Sequence, residues 1–267
     1  MSSDVKYYTE NTFVNLKNND VFHGFFTRQG GVSDPPFTGL NCGLGSEDHE
    51  AKIQANRALV AEAAQLSFTE NLLSLYQVHG AKVVYVDKLW SANDRPKADG
   101  FVTDQKDIGL GILTADCAPA LFLGHKDNGD PVVAAAHAGW KGALGGVLGN
   151  VVDAMEALGA SKSSIHACVG PCISKSLYEV NLDFVDPFIE ENEESERFFF
   201  SGSKEGHVMF DLPGYCAWRL FRAEVKNISL LDKDTYSGET DFFSYRRATH
   251  RNEEGYGRQI SVICINK

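Results

Sequence analysis

The sequence predicts an α+β fold: one domain, residues 1–267, with mixed β-sheets flanked by helices. Strand-like and helix-like segments mix along the chain without the strict βαβ alternation of a doubly wound sheet. No Pro/Gly/Ser-rich linker divides the chain, and no repeat with a period of 20 to 50 residues is visible. The 267 residues are 43% hydrophobic and 23% charged, an ordinary composition that can bury a sizeable core.

Three helices are predicted from apolar residues at helical spacing. They cover residues 47–64, 143–159 and 212–225. Ser46 and Asp211 are the expected N-caps of the first and third helices, and Gly159 is the expected stop of the second. The acidic run at residues 190–197 is interpreted as a solvated helix end or loop.

Short apolar runs bounded by turn residues predict the strands. Residues 23–41 begin as a strand end and continue as a Gly/Pro-rich loop. The other predicted strands lie within residues 82–87, 109–123, 131–139, 164–170, 228–231 and 259–265. The run 109–123 holds one or two buried strands, with Asp116 and Cys117 in its middle. A core strand gains nothing from an unpaired carboxylate, so this run is a candidate functional element.

Charge and cysteine content exclude several classes of protein. The net charge is −11, which argues against general binding to nucleic acid or to anionic membranes. No stretch approaches 18 consecutive apolar residues, and the N-terminus lacks the pattern of a signal peptide. The six cysteines are expected to be reduced thiols, because a chain of this length does not need disulfides to hold a core. We therefore expect a cytoplasmic protein.

The strongest candidates for chemistry are His79, Cys117 and His137, each at the end or interruption of an apolar segment. Two hypotheses suit this set. A thiolate and two imidazoles could hold a zinc ion with its fourth position open to water, as in catalytic sites. Alternatively, Cys117 could be a nucleophile with one histidine as its base. Cysteine in an apolar strand is usually a small core residue, but the adjacent acid favours a functional role here.

Basic residues supply candidate anion contacts. Lys141 lies in the turn of HAGWKGALGG, where a strand is followed by a helix and free N–H groups favour anions. Arg28 lies beside two glycines, and Arg246 and Arg247 follow aromatic residues in FFSYRR. The guanidinium fork suits phosphate or carboxylate.

Eight blocks of sequence together resemble the YfiH / laccase-domain family, also called multicopper polyphenol oxidase-like or the YfiH type of purine nucleoside phosphorylase. In chain order they are HGFFTRQGGVS…LN, QVHG, ADG, TADCAP, AAAHAGWKGA, GPCIS…YEV, FFSYRR and GRQISVI. The resemblance runs from about residue 23 to the C-terminus. Many relatives carry a Gly-Pro-Cys-Cys element before YEV and cysteines before FFSYRR, whereas this chain has neither. No cysteine role is therefore carried over from those blocks.

The resemblance implies a fold like the catalytic domain of cytotoxic necrotizing factor toxins, and a metal site made of His79, Cys117 and His137. It implies zinc, with copper as the alternative metal. The implied activity is phosphorolysis of adenosine, inosine, guanosine and methylthioadenosine with inorganic phosphate, with adenosine deamination as a side activity. The candidates for binding substrate or phosphate are Arg28, Asn41, Lys141 and Arg246.

Three alternatives stay open at this level. The first is a Cys-His amidohydrolase that edits a peptidoglycan peptide precursor, in which Cys117 forms an acyl-enzyme. The second is a laccase with copper, although eight scattered histidines without a His-x-His pair do not suit a multicopper site. The third is a binding module with structural zinc, whose fourth ligand would come from His166, Cys168 or Cys172. The sequence leaves the oligomeric state undetermined.

Overall fold

The described residues fold into three β-sheets with helices on the outer faces of the two large ones. The computed structural model describes residues 5–14 and 20–267. In these ranges the strands are β1 Tyr7–Tyr8, β2 Val21–Phe26, β3 Leu72–Leu73, β4 Val83–Tyr85, β5 Gly100–Thr103, β6 Gly109–Thr114, β7 Ala118–His125, β8 Pro131–Ala138, β9 His166–Val169, β10 Glu179–Asn181, β11 Phe199–Ser201, β12 His207–Phe210, β13 Asn227–Leu230 and β14 Gln259–Ile265. The α-helices are α1 Asn11–Val14, α2 Glu50–Ala63, α3 Trp140–Leu144, α4 Val147–Ala157, α5 Asp186–Glu191, α6 Leu212–Arg222 and α7 Tyr245–Arg251. Short 3₁₀ segments cover Thr69–Asn71, Lys162–Ser164, Leu182–Phe184 and Glu193–Phe198.

The sheets are mixed, as the sequence predicts. The five-stranded sheet has the order β1-β2-β14-β6-β3, and only its β3–β6 pair is parallel. The six-stranded sheet has the order β13-β9-β7-β8-β5-β4 and is parallel at its two edges, β13–β9 and β4–β5. A small antiparallel sheet, β10-β12-β11, completes the set. Mixed sheets with flanking helices confirm the predicted α+β class. The first four residues, part of the N-terminal segment in the signal-peptide prediction, lie outside the described ranges.

The two large sheets pack face to face between outer helices. Phe25, Leu110 and Ile263 of the five-stranded sheet share one buried cluster with Leu121 and Val133 of the six-stranded sheet. A second cluster joins the outer face of the six-stranded sheet to α4 and α6, and a third joins the outer face of the five-stranded sheet to α2. Both large sheets are therefore buried on both faces, which explains why their strands are almost continuously apolar in the sequence.

Strand β8 shows how this layering positions a functional side chain. Its Ala134 and Ala136 belong to the cluster on the helix side, whereas Val133 and Ala135 belong to the cluster between the sheets. Side chains alternate along a strand, so His137 lies on the same face as Val133 and Ala135, at the end of the strand. The neighbouring strand β7 pairs Pro119 with His137.

The helix predicted over residues 143–159 is interrupted. Helix α3 begins earlier, at Trp140, and ends at Leu144, and α4 begins at Val147. Gly146 lies between them with a φ of 92°, a left-handed conformation that glycine adopts without strain. The apolar face of α4 is as predicted, but Gly145 and Gly146 separate this helix from α3.

The predicted first helix is shorter than residues 47–64, and Ser46 does not cap it. Helix α2 begins at Glu50, after His49, which makes no side-chain capping bond. Ser46 Oγ instead donates to the Gly43 carbonyl oxygen at 2.7 Å and accepts from Asn41 Nδ2 at 2.9 Å. The Ser46 hydroxyl is therefore hydrogen-bonded within the loop that precedes the helix. The third helix ends at Arg222 rather than at 225, and Asp211 caps it through Gly214 N, as predicted.

The run 109–123 forms two strands in different sheets. Strand β6 ends at Thr114 and β7 begins at Ala118, so Cys117 precedes β7 instead of lying inside a regular strand. Asp116 has a φ of 93°, and its carboxylate accepts hydrogen bonds from Thr235 Oγ1 (2.7 Å), Ser244 Oγ (2.9 Å) and Arg246 N (2.7 Å). Asp116 therefore lies in the break between two strands and not inside a strand. Its carboxylate ties the break between the strands to the start of α7.

The helices within the described residues fall short of the length and apolar character needed to cross a bilayer.

Candidate active site

His137 is held by a buried carboxylate. Its ring is 3% exposed, and its Nδ1 lies 2.8 Å from Oδ1 of Asp99. The backbone N–H of His137 also donates to the Asp99 carbonyl oxygen at 2.7 Å. Because the carboxylate occupies Nδ1, the Nε2 atom of His137 is left to face other groups.

The same carboxylate holds the loop that carries His79. The backbone N–H groups of Val78, His79 and Gly80 donate to Asp99 at 3.1, 2.9 and 2.7 Å. His79 has a φ of 59°, a left-handed conformation that side chains other than glycine adopt rarely. Three hydrogen bonds to one acceptor stabilise this conformation and set where the imidazole lies.

Cys117 completes the cluster. Its Sγ lies 3.9 Å from Nε2 of His79, and the rings of His79 and His137 meet edge to face with centroids 4.7 Å apart. The ligand atoms of the three residues all lie within 4.8 Å of one another. In the part of the chain that the structure describes, this is the one group of three or more His, Cys, Asp and Glu side chains placed to hold a metal ion.

Electrostatics favour a thiolate in this cluster. Burial raises the pKa of the Cys117 thiol, but the His137 and His79 imidazoles outweigh burial and lower it to about 6. Burial lowers the pKa of His137, but Cys117 and Asp99 outweigh it and raise that pKa to about 9. Burial also raises the pKa of Asp99, and its bonds from His137 and Gly80 bring it below the usual value. At neutral pH the cluster therefore holds an anionic sulfur, which is the form that binds metals or attacks electrophiles.

Two cavities meet at His79 and Cys117. The larger, which we call the tyrosine cavity, has a volume of about 530 Å³ and is lined by Tyr76, Gln77, His79, Arg95, Thr114, Cys117, His137, Tyr245, Tyr256, Arg258 and neighbouring residues. The smaller, of about 210 Å³, lies against His79, Cys117, Trp140, Tyr178 and Arg246. A groove of about 980 Å³ adjoins the smaller cavity through Trp140, Tyr178 and Arg246. The cluster is thus open to small molecules from both sides.

Of the four predicted substrate contacts, the structure brings one to the cluster. Arg246 lines the smaller cavity, where its Nη1 donates to the Glu179 carbonyl oxygen at 2.8 Å. Arg28 lines a separate cavity, stacks 4.4 Å above Phe243 and donates to the Thr38 carbonyl oxygen.

The other two lie away from the cavities of the cluster. Lys141 is exposed in α3, and its Nζ lies 5.3 Å from the ring of Trp140. Asn41 is completely buried. Its side chain donates to Ser46 and Asp48 and accepts from the backbone N–H groups of Gly43 and Arg258. Asn41 therefore anchors the loop that precedes α2 to the start of β14.

Sequence reasoning missed Asp99 and the arginines of the tyrosine cavity. The ADG block contains Asp99, but its role depends on partners 20 and 38 residues away. Arg95 and Arg258 had no signal beyond their residue type, because Arg95 lies in a polar loop and Arg258 precedes an apolar strand. Arg247, in contrast, is a structural residue that donates to the carbonyl oxygens of Thr235, Tyr236 and Phe242.

The three-residue cluster fits a metal ion by its donor chemistry. Two imidazoles and a thiolate are preferred ligands of zinc and also of copper. The buried carboxylate on His137 Nδ1 fixes the tautomer that leaves Nε2 available, as is usual for metal-binding histidines. The three candidate fourth ligands, His166, Cys168 and Cys172, are not members of the cluster among the described residues.

Comparisons with known proteins show the family of this chain. Residues 22–266 match the family described as multi-copper polyphenol oxidoreductase laccase. A purine nucleoside phosphorylase of Deinococcus radiodurans is 37% identical over 251 residues, covering 92% of this chain and 89% of that protein. A purine nucleoside phosphorylase of Rickettsia conorii is 36% identical over 199 residues, covering 74% and 79%.

Solved structures show the same fold. A crystal structure of a Neisseria meningitidis protein superposes with a TM-score of 0.84 at 30% identity, covering 99% of this chain and 100% of that one. The hypothetical protein YfiH of Bacillus licheniformis gives 0.81 at 29% identity, covering 93% and 94%. The match to 22–266 and the full-length likeness lead to one conclusion: the chain belongs to the YfiH family, described as multi-copper polyphenol oxidoreductase laccase.

Proposed function

We propose that this protein is a zinc-dependent purine nucleoside phosphorylase. The observation that carries the proposal is the convergence of His79, Cys117 and His137 between two cavities, in a chain whose relatives are named purine nucleoside phosphorylases. The substrates would be adenosine, inosine, guanosine and methylthioadenosine, together with inorganic phosphate. The catalytic unit would be the whole chain, of which the family match covers residues 22–266.

The reaction transfers a ribosyl group from the base to phosphate. A phosphate oxygen forms a bond to C1′ as the bond from C1′ to the purine nitrogen breaks, and the electron pair leaves with the base, which takes up a proton. The products are the free purine and ribose 1-phosphate, or 5-methylthioribose 1-phosphate when methylthioadenosine is the substrate. Positive charge on the ribose and negative charge on the base develop together, so the site must stabilise both.

His79, Cys117 and His137 would hold the zinc ion, and Asp99 would orient both histidines. A bound zinc ion would supply Lewis acidity there, which would stabilise negative charge on a neighbouring oxygen or nitrogen. The side chains of the chain itself bind and orient the nucleoside between aromatic walls formed by Tyr76, Tyr245 and Tyr256 on one side and Trp140 and Tyr178 on the other. Aromatic rings favour a planar base over a flexible peptide.

Adenosine deamination is proposed as the side activity. Addition of water at C6 of the purine and departure of ammonia would convert adenosine to inosine. Deamination would use the same His79, Cys117 and His137 cluster as phosphorolysis. Both activities should therefore disappear together when the cluster is disrupted.

A second candidate function rests on the charge state of Cys117. A thiolate beside a protonated His137 is also the arrangement of a cysteine nucleophile with its acid–base partner. A Cys-His amidohydrolase acting on a peptidoglycan peptide precursor would use this pair without metal, and the 980 Å³ groove adjoining the smaller cavity offers room for an extended substrate. Copper-dependent laccase activity is less well supported, because the described residues form one cluster with three ligands, whereas a multicopper oxidase needs several copper sites.

The proposed setting is the cytoplasm, with no nucleic acid or membrane as partner. All six cysteines are free, as expected in a reducing compartment. The net charge of −11 disfavours polyanionic partners, whereas the arginines beside the cluster form a local site for a small anion.

The test combines metal analysis with product analysis. Purified protein loaded with zinc and given inosine and phosphate should release hypoxanthine and ribose 1-phosphate, and omission of phosphate should stop the release. Chelation should abolish the activity and zinc should restore it. Absence of hypoxanthine from fully zinc-loaded protein would overturn the proposal. Metal-free protein that alkylates selectively at Cys117 and cleaves a peptide amide would support the amidohydrolase instead.

A further inference from the structure

The tyrosine cavity is the most cationic cavity beside the cluster. Arg95 and Arg258 line it, and no Asp or Glu is among its lining residues in the described part of the chain. The four other cavities described here each include at least one carboxylate: Glu70, Asp116, Glu239 or Glu179. Acidic residues outnumber basic ones by 36 to 25 in the chain, so a cavity that excludes them is set apart from the rest of the surface.

Two hydrogen-bond donors of this cavity have no partner. Thr114 Oγ1 and Arg258 Nη1 are both buried without a hydrogen bond, and Thr114 is 2% exposed. Thr114 ends β6 and pairs with Gln259, the first residue of β14, and Arg258 directly precedes that strand, so both residues lie at the same end of the β6–β14 pair. Buried donors are normally satisfied, so an unpaired hydroxyl and an unpaired guanidinium nitrogen on two residues that line one cavity favour an acceptor bound there.

All the arginines near the cluster contact the protein: Arg258 Nη2 donates to Tyr256 Oη at 3.3 Å and Arg95 Nε donates to the Ala92 carbonyl oxygen at 2.6 Å, which leaves Arg258 Nη1 unpaired. Arg246 donates to the Glu179 carbonyl oxygen and stacks 5.2 Å from Tyr178. Arg57 is buried in an adjoining cavity, where it donates to Leu72 and Ser74 without a carboxylate partner. Arg95 lines both cavities, so the uncompensated charge of Arg57 adds to the positive potential around it.

We propose that the tyrosine cavity binds the inorganic phosphate consumed in the reaction, with Arg258 and Thr114 donating to its oxygens and Arg95 supplying a second positive charge. This assignment rests on the proposed function and departs from the sequence-based candidates Arg28, Lys141 and Arg246. The cavity shares His79, Cys117 and His137 with the cluster, so bound phosphate would lie next to the reacting centre. Its oxygens can accept from both unpaired donors while no neighbouring carboxylate repels it.

Two variants test the assignment. Arg258→Gln removes the charge, and Thr114→Val removes only the unpartnered hydroxyl while keeping the shape. Arg251→Gln is the matched control, because Arg251 pairs with Glu239 on the surface. The KM for phosphate should rise at least about 10-fold in Arg258→Gln and about 3-fold or more in Thr114→Val, whereas the KM for inosine should change less than about 2-fold. The control should match the wild type.

Calorimetric titration of inorganic phosphate into zinc-loaded protein without nucleoside separates this proposal from the activity itself. Heat of binding that is present in the wild type and lost in Arg258→Gln supports the phosphate site, even if no hypoxanthine is formed, in which case only the proposed function fails. Phosphorolysis with an unchanged phosphate KM in both variants would overturn the phosphate site and leave the proposed function standing. Thr114→Val should fold like the wild type, since its hydroxyl makes no hydrogen bond.

Discussion

Asp99 Oδ1 lies 2.8 Å from Nδ1 of His137, and the carboxylate that makes this contact also accepts the backbone N–H groups of Val78, His79 and Gly80. One buried side chain therefore orients two of the three candidate metal ligands. Carboxylates in this position raise the basicity of a ligating histidine and fix its ring.

Asp99→Asn tests that role. The amide keeps the shape but replaces one acceptor oxygen by an NH₂ group, which opposes the backbone donors or His137 Nδ1–H. We expect zinc affinity to fall about 10- to 100-fold, as for other residues that support metal ligands. Competition with a chromogenic chelator measures the affinity, and Asp94→Asn in an exposed loop is the control. Wild-type affinity in Asp99→Asn would show that the carboxylate does not position the ligands.

Cys117→Ser should reduce zinc content and abolish phosphorolysis and deamination together. A serine hydroxyl stays protonated at neutral pH, whereas the Cys117 thiol, whose pKa is lowered to about 6, supplies a thiolate. Zinc content and specific activity are measured on the folded fraction. Cys264→Ser is the control, because a hydroxyl can keep the contacts of that sulfur to Ala64 and Asn266. If Cys117 were only a core residue, the change would cost about 1–3 kcal/mol of stability and leave activity per folded molecule unchanged.

Gly139→Ala should disturb the cluster through sterics alone. A Cβ atom at residue 139 would lie 2.9 Å from Cys117 Sγ, closer than real Cβ atoms approach, and 3.0 Å from His79 Cδ2, which is unusually tight. We expect a loss of about 1–3 kcal/mol in unfolding free energy and weaker zinc binding. Gly149→Ala in α4 is the control, since its Cβ would meet only Ala223 at 4.0 Å. Zinc titration of both variants checks the expectation, and equal affinities would contradict the close packing of the site.

Stability should fall in mild acid because of His23. This residue is 5% exposed in β2, its Nε2 accepts the Glu10 N–H at 2.8 Å, and burial lowers its pKa from 6.5 to about 4, although the negative charge of Glu10 opposes the shift. Below pH 6.5 the unfolded chain binds a proton that the folded chain refuses, so the unfolding free energy falls as pH drops from 6.5 towards about 4. The full loss attributable to this group is about 3 kcal/mol.

Urea unfolding at about pH 7.5 and about pH 5 measures that dependence, of which about 2 kcal/mol should already be lost at the lower pH. His23→Gln removes the titration while keeping an acceptor for the Glu10 N–H, so its stability should depend less on pH by this amount. Identical pH profiles for the variant and the wild type would exclude His23 as the cause.

Features that depend on local sequence were predictable. The apolar face of α4 and the Asp211 cap of α6 follow from residues within one or two helical turns. By residue type Ser46 is an equally good candidate for an N-cap. In the structure its hydroxyl instead accepts a hydrogen bond from Asn41 and donates one to the Gly43 carbonyl oxygen. The helix begins only at Glu50, so the N-cap position falls on His49, and the local sequence does not show this shift.

The candidate ligands came from the sequence by residue type and by resemblance, since His79, Cys117 and His137 stand 20 or more residues apart along the chain. Their convergence is a property of the tertiary structure. Strands β7 and β8 pair so that Pro119 lies opposite His137, and this register places Cys117 opposite Gly139. Because Gly139 has no side chain, the Cys117 sulfur and the His79 ring can both lie close to it. Asp99, Thr114 and Arg258 acquire their roles in the same way, through partners in other strands and loops. Chain composition and periodicity decide which surfaces are buried, because burial depends on each residue's own side chain. Contacts between distant residues decide the site, because hydrogen bonds and charges act over a few ångströms of space, whatever the separation along the chain.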